Sequence, residues 1–388
     1  MDLCEFFSDR GGGVRSYLER MGRAAQECGH SLTVVAPGAQ HSVSEHSGMK
    51  LIRYPAPRMP YDPTYRVPWR LDLMRQAVDQ EKPDVVQISS PFAPALGARL
   101  LKKGPLLAYF YHSDPIGCYV RPALQRLLPP RAARCTERAV WGWQRAICQS
   151  CDVTVVAGRW LEELLEQQGC QRVRTVAFGI DQSDLGPAHA DATLRQRLMG
   201  PLAGEAGAVL LLISGRLAAD KRQALLIDAI QSLQRERPVA LVVLGDGPER
   251  EAIKARARGL GHVTFLPFTH NRAEFATILA SVDVLLHGSQ CETFGFVVAE
   301  ALASGTPVVV PNAGGAGALA HPDYAETYAA DGDAQAVARA VHKLLARPRT
   351  TLGRAALAAA ESFPTSKKHF EDLFTLYHQL LAERAGCS

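Results

Sequence analysis

The sequence has no uninterrupted apolar run of the ~18 residues that a membrane-spanning helix requires, which argues against an integral helical membrane protein. The first ten residues include Asp2, Glu5, Asp9 and Arg10, too many charges for a secretion signal, so the expected location is the cytoplasm. Cys148 and Cys151 form a C-x-x-C with no second pair to complete a zinc site, and reduced structural thiols are the expectation for them. Aromatic residues make up only 7% of the chain, and its arginines are scattered without interleaved stacking rings. Nucleic acid is therefore not an expected partner. Net charge is a modest +4, unevenly placed: residues 1–180 hold 23 Lys and Arg against 17 Asp and Glu, and the remainder 20 against 22.

At 388 residues, with 47% hydrophobic and 21% charged side chains, the chain suits two soluble domains of ~190 residues. Short apolar runs alternate with helical patterns, which predicts α/β domains with parallel sheets. Strands are expected at Leu3–Phe7, Leu32–Ala36, Val85–Ser89, Leu106–Tyr111, Val153–Ala157 and Val173–Phe178. Val14, Tyr17, Leu18, Met21 and Ala25 recur at helical spacing between the first two, and Gly29-His30 closes that helix. The rhythm restarts with Val209–Ser214, Ala240–Leu244, Val263–Leu266, Val284–His287 and Val308–Val310. Residues 179–208 carry clustered Gly, Pro and Asp without strong period and read as the connection between domains. An amphipathic helix is expected from about Lys367 to Glu383, with Phe370, Phe374, Leu376, Tyr377 and Leu381 as its apolar residues. Doubly wound domains of this kind bind ligands at the carboxyl ends of their strands.

Glu292-Thr293-Phe294-Gly295-Phe296-Val297-Val298-Ala299-Glu300 is the most informative segment. If it enters a helix as a whole, its two carboxylates lie a little over two turns apart on neighbouring faces. With the Ala-Leu-Ala-Ser-Gly-Thr-Pro that follows, it resembles the E-x7-E signature of retaining sugar-nucleotide glycosyltransferases of the GT-B fold, most closely the family 4 type. Ser214-Gly215-Arg216-Leu217-Ala218-Ala219-Asp220-Lys221 follows a strand and places two cations beside a tight turn, as neutralising a nucleotide diphosphate requires. It resembles the family's G-R-x-x-x-x-K motif, and Gly245-Asp246-Gly247-Pro248 resembles its G-x-G-P turn. Tyr111-His112-Ser113-Asp114 resembles the Y/F-H-S/T-D block of members that act on lipid-linked or inositol-type acceptors.

The resemblance covers nearly the whole chain and implies two Rossmann-like doubly wound domains facing each other across a cleft. Residues 1–180 would form the acceptor-binding domain, with a C-terminal helix at about 365–388 packing back on it. Residues 181–364 would bind the donor, a UDP- or GDP-sugar. Arg216 and Lys221 would hold the diphosphate and its developing charge, Glu292 hydroxyls of the transferred sugar, and Glu300 the ribose hydroxyls. A carboxylate can accept two hydrogen bonds from such a vicinal diol. His112 would contact the transferred sugar and Asp114 would support its loop. The base would lie near Phe268, held mostly by backbone contacts, with Phe294, Gly295 and Phe296 also lining the donor site. Gly11-Gly12-Gly13 opens the first helix, and through Gly12 and Gly13 would approach the donor phosphate. The implied reaction is hexosyl transfer with retention to a hydroxyl on a lipid, lipid-linked sugar or glycan. No D-x-D follows any strand identified above, and two fixed cations can replace a metal, so no metal or cofactor is expected. The family's G-G-x-x-E appears here as Gly314-Gly315-Ala316-Gly317-Ala318, without its acid, and leaves backbone amides to line the pocket. That departure keeps a catalytically silent sugar-nucleotide binder as an alternative, beside a GT-B epimerase.

Residues 116–150 carry Arg121, Arg126, Arg131, Arg134, Arg138 and Arg145 against one acid, Glu137. Leu124, Leu127, Leu128, Trp141, Trp143 and Ile147 supply apolar bulk, and Pro129-Pro130 divides the stretch into two helices. It reads either as a basic amphipathic surface for anionic lipid or as a solvated cationic face over an ordinary core.

Overall fold

A computed structural model describes residues 1–7, 13–59, 65–67, 70–99 and 104–386. The chain divides into two compact units, one of residues 1–179 together with the C-terminal helix, the other Ile180–Thr365.

The first unit has an eight-stranded sheet among its described residues: β1 (Asp2–Leu3), β2 (Leu32–Gly38), β3 (Ser42–His46), β4 (Met49–Pro55), β5 (Val85–Ile88), β6 (Leu106–Tyr111), β7 (Val153–Val156) and β8 (Val173–Thr175). Its order is β3-β4-β2-β1-β5-β6-β7-β8, parallel throughout except for β3 against β4. Strands covered on both faces read as continuous β-branched runs, which is why Val153–Val156 is wholly buried. β1 is shorter than the expected Leu3–Phe7. One further ladder bond, from Cys4 N to Val35 O at 3.0 Å, is made before the chain leaves the sheet. The β3–β4 hairpin has no apolar alternation to announce it, because β3 is an edge strand with a largely exposed pattern. Its turn, Ser47-Gly48, has φ of +49° and +75°, as a two-residue type I′ connection requires.

The helix Gly13–Glu27 buries Tyr17, Leu18, Met21 and Ala25 and closes at Gly29, whose φ is +76°. The C-terminal helix Ser366–Gly386 belongs to this unit. It buries His369, Phe370, Leu373, Phe374 and Tyr377, with Phe370 5.3 Å from Tyr17 and His369 5.0 Å from Phe178, ring centre to ring centre. Each such aromatic side chain removed from water contributes about 1.5–3 kcal/mol.

The second unit has β9 (Val209–Ser214), β10 (Val239–Leu244), β11 (Val263–Leu266), β12 (Val284–Leu286), β13 (Val308–Pro311) and β14 (Ala325–Tyr328). All are parallel, in the order β11-β10-β9-β12-β13-β14. The order reverses between β9 and β12, and a crevice opens at the carboxyl end of such a switch point. β14 escapes sequence reading because Glu326 interrupts its apolar run, and the fold accommodates this carboxylate by pairing it with Lys343 at 2.8 Å and Arg347 at 3.1 Å.

Residues 180–208 are not a plain connection. Asp191 caps the helix Ala192–Met199, accepting from Thr193 N at 2.7 Å and Leu194 N at 3.0 Å, and Leu198 and Met199 are buried. Arg195 pairs with Asp283 at 2.8 Å, so this segment is part of the second unit. Among the described residues, no helix is long and apolar enough to cross a membrane.

Candidate active site

β9 ends at the switch point, and the chain turns through Gly215, whose φ of +137° suits glycine. A Cβ on Gly245, at the end of β10, would stand 2.0 Å from the Gly215 carbonyl oxygen. The Gly-Asp-Gly-Pro turn is thus what lets these two strand-end loops touch, and Leu217 N donates to Asp246 O across them at 2.9 Å. Leu217 is buried and anchors the loop, while Arg216 beside it points outward. A short 3₁₀ turn, Ala219–Lys221, then leads into the helix Gln223–Leu233. Arg222 sits in the left-handed region at φ +51°, with its guanidinium donating to Ala330 O at 2.6 Å and Gly332 O at 3.3 Å.

The loop after β12 meets this turn. Gly288 permits the approach, since a Cβ there would lie 2.5 Å from the Lys221 carbonyl oxygen. Lys221 Nζ donates to Glu292 Oε1, with His287 Nε2 3.4 Å from the same oxygen and Asp220 Oδ2 3.7 Å from the ammonium. Arg216 Nη2 reaches Asp220 Oδ1 at 3.2 Å. Burial alone would raise the Glu292 carboxyl, but hydrogen bonding from His287 and the Lys221 charge outweigh it and hold the group well below the usual carboxylate range. The sequence-identified Arg216, Lys221 and Glu292 thus form one cluster. Asp220 and His287 complete it without having been singled out, although Asp220 lies inside the quoted motif and His287 at an expected strand end.

Glu292 does not lie on the helix. The helix is Phe296–Ala303, entered through Gly295 at φ +91°, so only Glu300 is helical. Gly314 and Gly315 pack closely against this loop. Gly315 N donates to Glu292 O at 2.6 Å, and a Cβ on Gly315 would lie 2.6 Å from Phe294 N. The expectation that both glycine amides line the donor pocket is corrected accordingly: the Gly315 N–H is already used. Glu300 makes its own pair, with Arg272 Nη1 2.6 Å from Oε1, at the start of the helix Arg272–Ser281. No sequence signal pointed to Arg272. Phe294 is buried and Phe296 partly exposed, their rings 5.1 Å apart, whereas Phe268 at the end of β11 is 60% exposed and packs edge-on against His270.

β14 is followed by Asp331-Gly332-Asp333, a D-x-D outside the strands that were expected. Asp333 is the cap of the helix Ala334–Leu345, accepting from Ala336 N at 2.9 Å. No cluster of three or more candidate metal ligands occurs among the described residues.

In the first unit His112 stands at the carboxyl end of β6. Its ring stacks on Phe110 at 4.5 Å, meets Tyr17 edge-on at 4.8 Å, and places Nε2 2.9 Å from Ser89 Oγ. Burial, with a smaller contribution from His369, lowers its pKa to about 3, so the imidazole is neutral at physiological pH. Asp114 Oδ1 accepts from Gly117 N at 3.0 Å, and from Ile116 N and Tyr111 OH each at 3.2 Å. Gly117 is required there, because a Cβ would lie 2.2 Å from Asp114 Oδ2. Gly13 opens the first helix, and a Cβ there would meet nothing within 4 Å among the described residues, whereas Gly11 and Gly12 lie outside them. Cys148 and Cys151 are buried free thiols.

The basic stretch forms two helices, Arg121–Leu127 and Pro130–Ser150. Trp141 and Ile147 are core residues, not interfacial ones, whereas Leu127 is 75% exposed and Leu128 and Trp143 each 36%. Arg121 pairs with Glu137 at 2.8 Å, and Arg145 donates to Gln168 O at 3.2 Å. Arg126, Arg131, Arg134 and Arg138 are exposed and make no ion pair with the described residues.

Each unit matches a family model. Residues 11–184 match the model for Glycosyltransferase Family 4, and residues 200–358 that for Glycosyl transferases group 1. The chain is 28% identical to a GDP-mannose-dependent alpha-(1-6)-phosphatidylinositol dimannoside mannosyltransferase of Mycobacterium tuberculosis, covering all of this chain and 98% of that one. It is 29% identical to a GDP-mannose-dependent alpha-mannosyltransferase of the same species, over 91% of each. Among solved structures, sucrose-phosphate synthase from Thermosynechococcus elongatus matches with a TM-score of 0.75 at 20% identity, covering 98% of this chain and 99% of that one. Anabaena HepE in complex with UDP and glucose matches at 0.68 and 18% identity, covering 97% and 98%. The fold and the paired matches define a glycosyltransferase of the GT-B fold. Within that class, the chain is of the family 4 type.

Proposed function

We propose that the chain is a retaining, metal-independent mannosyltransferase that takes GDP-mannose and glycosylates a lipid or lipid-linked acceptor. The observation that carries this reading is the Arg216, Lys221 and Glu292 cluster at the switch point of the second unit. Two cations beside a glycine turn suit a diphosphate, and the ionised Glu292 suits sugar hydroxyls. The same cations counter the charge that grows on the leaving phosphate, a contribution made mostly in the transition state. Guanine and mannose are favoured because the two relatives described above are both named as GDP-mannose-dependent.

In this mechanism the bond from the anomeric carbon to the diphosphate oxygen breaks, and an acceptor hydroxyl forms its new bond on the same face. Its proton passes to the departing phosphate, and GDP leaves. Asp220 and Glu292 both engage cations, which favours this route over double displacement through an enzyme carboxylate. Residues 1–180 with the C-terminal helix would bind the acceptor and residues 181–364 the donor. Glu300, with Arg272 beside it, would take the ribose. The exposed Arg126, Arg131, Arg134 and Arg138, next to Leu127 and Leu128, would rest on the anionic cytoplasmic face of the membrane.

Calorimetry of GDP-mannose, UDP-glucose, GDP and UDP tests the donor assignment. Saturable binding selective for the guanine pair is expected, reduced at least tenfold by Lys221→Ala. Equal affinity of wild type and Lys221→Ala would remove the diphosphate role. Product NMR with the α-linked donor should show an α-linkage; a β-linked product would replace retention by inversion.

A further inference from the structure

Asp2 is a fully buried carboxylate that the chemistry above does not use. It lies on β1, opposite Gln87 of β5 in the ladder register. Side chains two apart on a strand share a face, so Gln87 and Ser89 approach Asp2 together. Asp2 Oδ2 accepts from Gln87 Nε2 at 2.6 Å and from Ser89 Oγ at 2.7 Å. The Gln87 amide is oriented from its far end, where Tyr377 of the C-terminal helix donates its hydroxyl to Oε1 at 2.6 Å. Ser89 Oγ in turn lies 2.9 Å from His112 Nε2.

A serine hydroxyl carries one proton and two lone pairs. With that proton given to the Asp2 carboxylate, Ser89 can only accept from His112. The imidazole must then hold its proton on Nε2, which leaves Nδ1 as a bare lone pair. Nδ1 makes no hydrogen bond with the described residues, and the Phe110 and Tyr17 rings fix the imidazole plane. Burial raises Asp2 to about 6, with the Ser89 and Gln87 hydrogen bonds opposing the rise, so the carboxylate is ionised at pH 7.5.

We propose that Asp2 and Ser89 are positioning residues that hold His112 as the Nε2–H tautomer and so present Nδ1 as a hydrogen-bond acceptor to a hydroxyl of the transferred sugar. A lone pair at that position repels a phosphate or carbonyl oxygen, so the network selects a hydroxyl donor. The identity of the ligand rests on the transferase reading; the tautomer does not.

Long-range proton–nitrogen spectra of the full-length protein with labelled histidine, at pH 7.5, test the tautomer without any substrate, His112→Gln supplying the assignment. The Nε2–H pattern is expected for His112 in wild type and in Ser89→Thr, which keeps the hydroxyl. In Ser89→Ala and in Asp2→Asn, whose amide can donate as well as accept, the signals should move toward a tautomer average. In parallel, Ser89→Ala should lose roughly 10- to 100-fold in kcat through misplacement of His112, and Ser89→Thr should recover most of it. An Nδ1–H pattern in wild type, or an unchanged pattern in both Ser89→Ala and Asp2→Asn, overturns the proposal. The wild-type spectrum and Ser89→Thr decide the matter even where the other variants fail to fold. Should the tautomer behave as stated while no sugar is transferred, the network stands and the transferase reading fails.

Discussion

Glu292, on the loop after β12, and His112, at the end of β6, owe their protonation states to opposite surroundings. Glu292 is kept ionised by Lys221 and His287, whereas His112 is kept neutral by burial among Phe110, Tyr17 and His369. His112 has consequences for stability that follow from its sign. Its folded value of about 3 lies below the ordinary 6.5, so between the two the unfolded chain binds a proton that the folded chain does not. The contribution is complete above about 6.5 and is lost as the pH falls. Acidification from pH 7 to pH 5 should therefore cost wild type roughly 2 kcal/mol more than His112→Gln, compared in urea melts. Equal losses would place a charged or solvated imidazole at this position. The residues of both clusters were legible as motif letters. Their partners were not: Arg272, Ser89 and Asp2 lie far along the chain from the groups they meet, and no local pattern marks such pairings, while His287 is close to Glu292 in sequence but reads as an ordinary strand-end residue.

At the scale of the element, the site depends on glycines that let one loop lie on another. The loop bearing Glu292 rests on Gly315, with no room for a Cβ beside Phe294 N. Gly315→Ala should displace that loop and lower kcat/KM by about 10- to 100-fold, with the far-UV circular dichroism of wild type. Activity within twofold of wild type would mean that the loop repacks without moving Glu292. Interior strands such as Leu106–Tyr111 and Val209–Ser214 were readable to the residue, because strands buried on both faces are continuous apolar runs, and so was the half-buried edge strand Val263–Leu266. The β3–β4 hairpin and β14 were not. One is an exposed edge and the other carries Glu326, and in both cases tertiary pairing prevails over local preference.

The whole molecule combines a unit that matches the Glycosyl transferases group 1 model with a unit that presents exposed arginines beside Leu127 and Leu128. If this surface meets anionic lipid, each basic residue contributes about 1 kcal/mol at low ionic strength. Replacing Arg131, Arg134 and Arg138 together by Gln should weaken co-sedimentation with phosphatidylinositol-containing vesicles by roughly two orders of magnitude, and added salt should have the same effect on wild type. Salt-insensitive sedimentation, or none, would leave these arginines as a solvated face.

By itself the sequence determined that the chain is α/β, that its sheets are parallel at the centre, and that Arg216, Lys221, Glu292, Glu300 and His112 are the groups to watch. Hydrophobic period, strand-end glycines and short motifs are local properties, and they survive without a fold. The tertiary structure alone decided that Glu292 stands on a loop and not on the helix, that Trp141 and Ile147 are core, and that Asp2 reaches His112 through Ser89. These facts depend on which strands lie side by side and which distant loops share a switch point, and long-range packing, not local sequence, sets both.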